Sequence, residues 1–154
     1  MEINDYTKVR GNVEIIITKA NGEVIKDEGH NLVVDGGKAM ITSILSGNSS
    51  ILPVYMALGS GSTTPAGTDT ALESELSVSG LTRTSATPVQ ATTTTTNDTM
   101  KYDVTFTALG TASVSEVGIF DAASAGNMLC RRVFSTKPIE SGDTIEIIYS
   151  IVFA

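Results

Sequence analysis

The chain has 154 residues, of which 41 % are apolar and 18 % are charged, and its formal net charge is −7. This length is enough for a single domain, residues 1–154, with its own core. The acidic balance disfavours nucleic-acid binding, because such a surface repels phosphate backbones. No apolar run approaches the roughly 18 residues of a membrane-spanning helix, and the acidic N-terminus argues against a secretory signal peptide. We therefore expect neither a nucleic-acid nor a membrane partner.

Two strands joined by a tight turn are predicted near the start of the chain. Apolar residues alternate along Val13–Lys19, which indicates a strand with one buried face. Asn21-Gly22 suits a hairpin turn because both residues tolerate positive φ, and Glu23–Glu28 then returns as the partner strand. The segment before the hairpin, residues 1–10, is a candidate N-terminal assembly arm.

A short helix is predicted over about residues 36–46. Apolar residues between Lys38 and Leu45 recur at a spacing of three and four, which places them on one helical stripe. Asp35 is the expected N-cap, and Gly47 is the expected stop. We expect this helix to cover one open end or face of the β-structure.

The rest of the chain predicts further strands. The threonine-rich stretch Leu81–Thr96, which ends in the near-homopolymeric tract Ala91–Thr96, is expected to be extended and to pair with the strand that follows the Asn97-Asp98 turn. About eight strands at regular spacing predict an all-β fold, a single antiparallel β-sandwich with one short helix inserted. The later predicted strands are Leu52–Leu58, Leu81–Thr96, Met100–Leu109, Val114–Asp121, Met128–Phe134 and Asp143–Phe153.

A loop rich in Gly, Ser and Thr, Gly59–Thr64, leads to an acidic, helix-competent segment, Leu72–Leu76. Backbone amides of a glycine-rich loop such as Gly59–Thr64 can hold an anion. A nucleotide-binding loop also requires a lysine, and none lies between residues 39 and 100. Asp35–Lys38 does open a predicted helix, but it lacks the upstream glycine and is followed by Ala39 instead of Ser or Thr. We interpret the first segment as a connection or subunit contact and the second as a helix cap.

Catalytic and metal signatures are missing from the sequence. His30 is the sole histidine and Cys130 the sole cysteine, and no Gly-x-Ser-x-Gly motif is present. A metal site would need more soft ligands than these two residues supply. We therefore predict a non-enzymatic protein without cofactor or metal, in which Cys130 is a buried structural thiol. The carboxylates near the polar loop also match no recognised glycosidase pair: Asp69, Glu73, Glu75 and Glu116.

Arg131-Arg132 is the densest basic spot in the chain. It is a candidate for contact with an acidic neighbouring subunit, whose Glu73, Glu75 or Glu116 would supply the opposite charge. The alternative is a solvated pair with one arginine lying on the sheet. Together with the polar loop, this gives seven candidate protein–protein interface residues: Ser60, Gly61, Ser62, Thr63, Thr64, Arg131 and Arg132.

Four segments, in this order and spacing, resemble small tailed-bacteriophage virion structural proteins of the tail-fibre, baseplate and head-decoration type. The segments are Asn31–Leu45 around the glycine-initiated helix, Met56–Leu76 around the polar loop, Ser115–Ala122, and Met128–Arg131 followed by Gly142–Phe153. The resemblance covers most of the chain and brings no catalytic residues with it.

The resemblance implies a structural protein of the virion, assembled in the host cytoplasm. It would self-assemble and attach to other particle proteins as part of a tail, fibre or baseplate appendage or its connection. We expect a homo-oligomer, with a trimer favoured over other states. One alternative is a capsid decoration protein on the head surface. Another is a host-glycan-binding module, for which four Tyr, four Phe and no Trp supply few exposed aromatic rings.

Overall fold

The computed structural model describes residues 8–78 and 80–153, so the proposed arm, residues 1–10, lies mostly outside it. Within the described residues there are nine strands and one short helix. They are β1 (Val9–Thr18), β2 (Val24–Val33), α1 (Asp35–Leu45), β3 (Tyr55–Gly59), β4 (Thr84–Ser85), β5 (Val89–Ala91), β6 (Thr99–Thr107), β7 (Ala112–Phe120), β8 (Met128–Ile139) and β9 (Thr144–Phe153). No helix in this part of the chain is long and apolar enough to cross a membrane.

The predicted all-β class is confirmed, but the predicted two-sheet sandwich is wrong. The nine described strands form one antiparallel sheet in the order β4-β3-β7-β8-β2-β1-β9-β6-β5. The sheet is curled, and side chains from both of its halves share one core. Alternating strands bury one face in a sandwich and in a curled sheet alike, so the sequence pattern is the same for both.

The shared core is mainly aliphatic, and its buried aromatic residues include Tyr102, Phe106 and Tyr149. The Tyr102 hydroxyl on β6 donates to the Pro53 carbonyl at 2.8 Å, which joins one half of the curled sheet to the segment before β3. Both halves contribute large buried side chains, among them Ile15, Ile17, Ile147 and Tyr149 from β1 and β9, and Met56, Leu58, Val117 and Ile119 from β3 and β7.

The predicted first hairpin is confirmed. β1 and β2 pair from Gly11↔Asn31 to Thr18↔Val24. The Lys19 amide donates to the Glu23 carbonyl at 2.8 Å, and Gly22 has φ +89°. The turn is thus a three-residue connection that closes on a left-handed glycine.

The predicted helix is also present, with a different start. Val34 is the N-cap and makes no side-chain capping bond, while Asp35 is the first helical residue. Its carboxylate lies where the helix dipole favours negative charge. At the other end Gly47 has φ +71°, and the amides of Gly47 and Asn48 bond to carbonyls of the last turn at 3.0 and 2.9 Å. Gly47 therefore ends the helix as predicted.

The predicted pairing of the threonine-rich stretch with β6 is confirmed at Val89–Ala91, but the rest of the threonine tract is not a strand, contrary to prediction. Pairing with β6 ends at Ala91, after three residues of β5, whereas on its other side β6 pairs with β9 along its whole length. The Asp98 carboxylate accepts the amides of residues 93 to 95 at 2.8, 2.8 and 2.7 Å. These bonds bend the tract into a loop that closes on the predicted turn, where Asn97 has φ +63°.

Candidate functional site

The Gly-, Ser- and Thr-rich segment singled out in the sequence is the first part of a longer loop, residues 60–74, and from here on the polar loop means this whole range. The polar loop begins and ends at one bridge of backbone hydrogen bonds. Ser60 donates to the Ser74 carbonyl at 2.8 Å, and Leu76 donates to the Leu58 carbonyl at 2.9 Å. Glu75 forms an isolated antiparallel bridge with Gly59. The helix-competent segment Leu72–Leu76 is therefore extended at its end and contains no helix. The loop returns to the strand from which it left.

A buried carboxylate lies beneath the loop. Glu116 on β7 is fully buried, and it accepts the amides of Gly61, Ser74 and Glu73 at 2.9, 2.8 and 3.1 Å. A Cβ atom added at Gly59 or Gly61 would lie 2.4 or 2.5 Å from Glu116 Oε1. The loop backbone approaches this carboxylate so closely that only glycine fits at these two positions.

Arg131 on β8 completes the buried cluster. Its Nε donates to Glu116 at 2.9 Å, and its Nη1 donates to Asp69 at 2.8 Å. Its Nη2 lies 2.8 Å from Glu116 and 3.7 Å from Glu73, while the side chain is only 3 % exposed. Burial opposes the charged forms, but the ion pairs raise the pKa of Arg131, and the Ala66 amide together with Arg131 lowers the pKa of Asp69. One cation thus lies among three carboxylates, the arrangement that a buried arginine requires.

Glu73 folds the outer part of the loop back on itself. Its carboxylate accepts the amides of Thr63 and Ser62, both at 2.7 Å, and these bonds lower its pKa. The backbone therefore points inward, and the side chains of Ser62, Thr63 and Thr64 are exposed.

Apolar packing and the helix hold the far side of the loop. Leu72 is buried, and the Gly67 carbonyl accepts the amide of Asp35 at 2.8 Å, at the start of α1. The small apolar cluster around Leu72 contains Val34, Ala57, Phe120 and Met128, with Tyr55 at its edge. The loop is therefore fixed to three elements: β7, β8 and α1.

Arg132 points away from Arg131 and joins a different set of partners. Its Nη1 donates to the Val13 carbonyl on β1 at 2.9 Å, and its Nη2 pairs with Asp27 on β2. Lys137 also lies 3.2 Å from Asp27. Both neighbouring arginines are thus buried, on opposite faces of β8.

The structure divides the seven predicted interface residues into an exposed set and a buried set, and it pairs the buried Arg131 within its own chain. The partners that the sequence analysis assigned to a neighbouring subunit, Glu73 and Glu116, bind Arg131 of the same chain. The third, Glu75, pairs with Arg83 at 2.6 Å. Of the seven candidates, Ser60, Ser62, Thr63 and Thr64 are exposed, whereas Gly61, Arg131 and Arg132 are buried. A contact between subunits through these residues stays a prediction.

The sequence analysis missed the clustering of Glu116 with Arg131. One signal was available: each is a charged residue within a run of residues that otherwise reads as a buried strand. Two such residues of opposite sign on strands joined by a short turn predict a buried ion pair, because an unpaired charge is almost never buried.

The remaining candidates from the sequence are Cys130 and His30. Cys130 is buried as predicted, and burial raises the pKa of its thiol to about 12. His30 is exposed, and its Nδ1 lies 3.3 Å from the Gly11 carbonyl. No group of three or more histidine, cysteine or carboxylate side chains with metal-binding geometry occurs in residues 8–78 and 80–153.

Comparison with protein families bears on which of the roles considered in the sequence analysis this chain has. Residues 36–151, well over half of the chain, match the family described as Podophage GP4 fiber I protein gp80. The chain belongs to this family. It is a non-enzymatic tail-fibre structural protein and a component of the virion, and it associates with other virion proteins. A comparison with curated proteins returned no match. The resemblance inferred from sequence is confirmed, and the fibre assignment favours an appendage over the capsid-decoration alternative.

Proposed function

We propose that this fibre protein assembles as a homotrimer and that the polar loop forms a contact between copies. One observation supports the loop contact above the others. The loop backbone is held in one conformation by Glu116 and Arg131, while the side chains of residues 62 to 64 face outward.

Fixing the loop in advance favours association. Burying an ion costs several kcal/mol before its partners compensate, and here the compensation comes partly from amides of the loop itself. The loop is therefore already ordered before a neighbouring copy binds. A contact surface that is ordered beforehand loses less conformational entropy on binding, and loops of this length in compact domains are usually functional.

The edges of the sheet favour contact through side chains. The two edge strands of the described sheet are β4 and β5, with two and three residues. Edge strands this short offer few free amides and carbonyls of their own to another chain, although β6 extends beyond β5 by residues 102–107. In this proposal Arg131 supports the loop from below, and the exposed Ser60, Ser62, Thr63 and Thr64 meet the neighbour.

The test places bulky charge on the loop without touching its anchors. In the variant Ser62→Arg/Thr64→Arg both changes lie on exposed side chains, and the amide of Ser62 remains free to bind Glu73. The matched control is Ser124→Arg/Ser141→Arg, at exposed positions in two other turns.

Size-exclusion chromatography with light scattering gives the oligomeric state, and circular dichroism verifies folding. We expect trimers for the wild-type protein and the control, and folded monomers for the loop variant. A monomeric wild-type protein, or a loop variant that remains trimeric, would show that the proposal is wrong.

A further inference from the structure

Among the junctions between interior strands of the described sheet, the one with the fewest backbone pairs lies near its centre, between β2 and β8. β1 and β9 are paired along ten positions, from Val9↔Phe153 to Thr18↔Thr144. By contrast, β2 and β8 are paired at two positions among the described residues, Leu32↔Arg131 and Val33↔Cys130. We call the line along which β2 and β8 face each other the seam.

Charged side chains bridge the seam where backbone pairing stops. Arg132 reaches from β8 across β2 to the Val13 carbonyl on β1, at 2.9 Å. Its guanidinium also pairs with Asp27, and Lys137 approaches the same carboxylate at 3.2 Å. All three side chains are largely buried, at 6 %, 18 % and 17 % exposed for Arg132, Asp27 and Lys137.

Gly29 makes room for this bridge. A Cβ atom at that position would lie 2.6 Å from Arg132 Nη2 and 3.0 Å from its Cζ and Nε. The missing side chain lets the guanidinium lie flat across β2. The sequence of β2 is therefore adapted to the arginine of β8.

A second charged bridge lies at the far end of the seam. Lys19, in the β1–β2 turn, donates to the Pro138 carbonyl of β8 and to Asp143 at 2.8 Å. Asp143 also accepts the amides of Ala20 and Glu140 at 3.0 and 2.8 Å. Both bridges use ion pairs where the other interior strand junctions use longer backbone ladders.

We infer that the fold opens locally along the seam by separation of β2 from β8. The ion pairs of Asp27 with Arg132 and Lys137 hold the two strands together and so control this opening. Opening separates β2 from β8 and leaves the β1–β9 and β7–β8 ladders intact. It frees the backbone groups of Leu32 and Val33 on β2 that are otherwise paired with Arg131 and Cys130 on β8. The inference is independent of the trimer proposal, because it concerns the motion of one chain.

Salt and single substitutions distinguish the contribution of these ion pairs from that of the backbone hydrogen bonds between strands. Salt screens ion pairs, least where they are most buried, and leaves backbone ladders largely unaffected. The variant Asp27→Asn removes the shared carboxylate, and the milder Lys137→Met removes one of its two cations. Asp103→Asn is the control, since this exposed carboxylate on β6 makes no ion pair with the described residues.

Hydrogen exchange measured by mass spectrometry reports the opening. We expect exchange in peptides covering residues 31–34 and 129–132 to rise about tenfold in Asp27→Asn, and less in Lys137→Met and in the wild-type protein at high salt. Peptides of β1 and β9, and all peptides of the control, should be unchanged. If Asp27→Asn does not fold, Lys137→Met and the salt series decide. Unchanged exchange at the seam, or an equal rise in every strand, would overturn the inference.

Discussion

The polar loop and the threonine tract are both built from small polar residues, and each folds around a carboxylate that accepts successive backbone amides. The carboxylates differ in position. Glu116 is buried and lies 55 residues from the amide of Gly61, whereas Asp98 lies at the surface, three to five residues from the amides that it holds. A remote, buried anchor ties a loop to the stability of the whole fold. A local, exposed anchor orders only its own turn.

Glu116→Gln should have the largest effect. It removes the buried charge that Arg131 and three loop amides share, and breaking a buried ion pair costs about 3–5 kcal/mol. Urea unfolding followed by circular dichroism should show this loss of unfolding free energy. If the loss stays below about 1 kcal/mol, the buried anchor is not linked to global stability.

Gly61→Ala should come next, at about 1–3 kcal/mol, the usual cost of overpacking. Its Cβ would lie 2.5 Å from both Glu116 Oε1 and the Glu73 Cβ. Gly36→Ala is the matched control, because the nearest atom to its Cβ is 3.8 Å away and alanine favours helices. Equal midpoints of thermal unfolding for the two variants would contradict the close approach of loop and carboxylate.

Asp98→Ala should have a smaller and local effect. The amides of residues 93 to 95 lose their acceptor, but no buried charge is left behind. Hydrogen exchange should accelerate in the tract while the midpoint of unfolding shifts less than in Glu116→Gln. An equal shift in the two variants would mean that the exposed anchor is as important for the fold as the buried one.

Acid should weaken both loops, and this gives the smallest effect. Backbone hydrogen bonds, chiefly from Thr63 for Glu73 and from Thr95 for Asp98, lower the pKa of both carboxyls below 4.5 and 3.8, their ordinary values. Each therefore adds stability above its unfolded pKa, and that contribution is lost as the pH falls through the folded pKa.

The urea midpoint should therefore fall as the wild-type protein is taken from pH 7 to pH values below about 4. Glu73→Gln and Asp98→Asn should each make this fall shallower, and a double variant should make it shallower still. A pH dependence that is identical in all four proteins would show that neither carboxylate contributes.

Local patterns predicted much of the fold, and long-range pairing limited the rest. The Asn21-Gly22 hairpin and the Gly47 helix stop were readable because both depend on neighbouring residues. The curled sheet depends on Leu32 and Val33 meeting β8, a contact across about a hundred residues, and no periodicity encodes it. In the threonine tract the prediction failed for a local reason. Hydrogen bonds to the nearby Asp98 overrode the strand preference of threonine.

The candidate site was only partly predictable for the same reason. The sequence singled out the polar loop and Arg131, and the missing lysine argued against a nucleotide-binding loop. It could not pair Arg131 with Glu116 and Asp69, which lie 15 and 62 residues away along the chain. Charge alone suggested a partner in another subunit, because a surface position is the default for arginine.

The position of the first hairpin bears on how such fibre proteins can be cut and recombined. The family match begins at residue 36, after β2 ends. Yet β1 and β2 occupy the middle of the sheet, between β9 and β8. A fragment cut at the boundary of the match would leave β9 with a long bare edge, and such an edge promotes aggregation. Exchange of modules between fibres at this boundary should therefore carry the hairpin along.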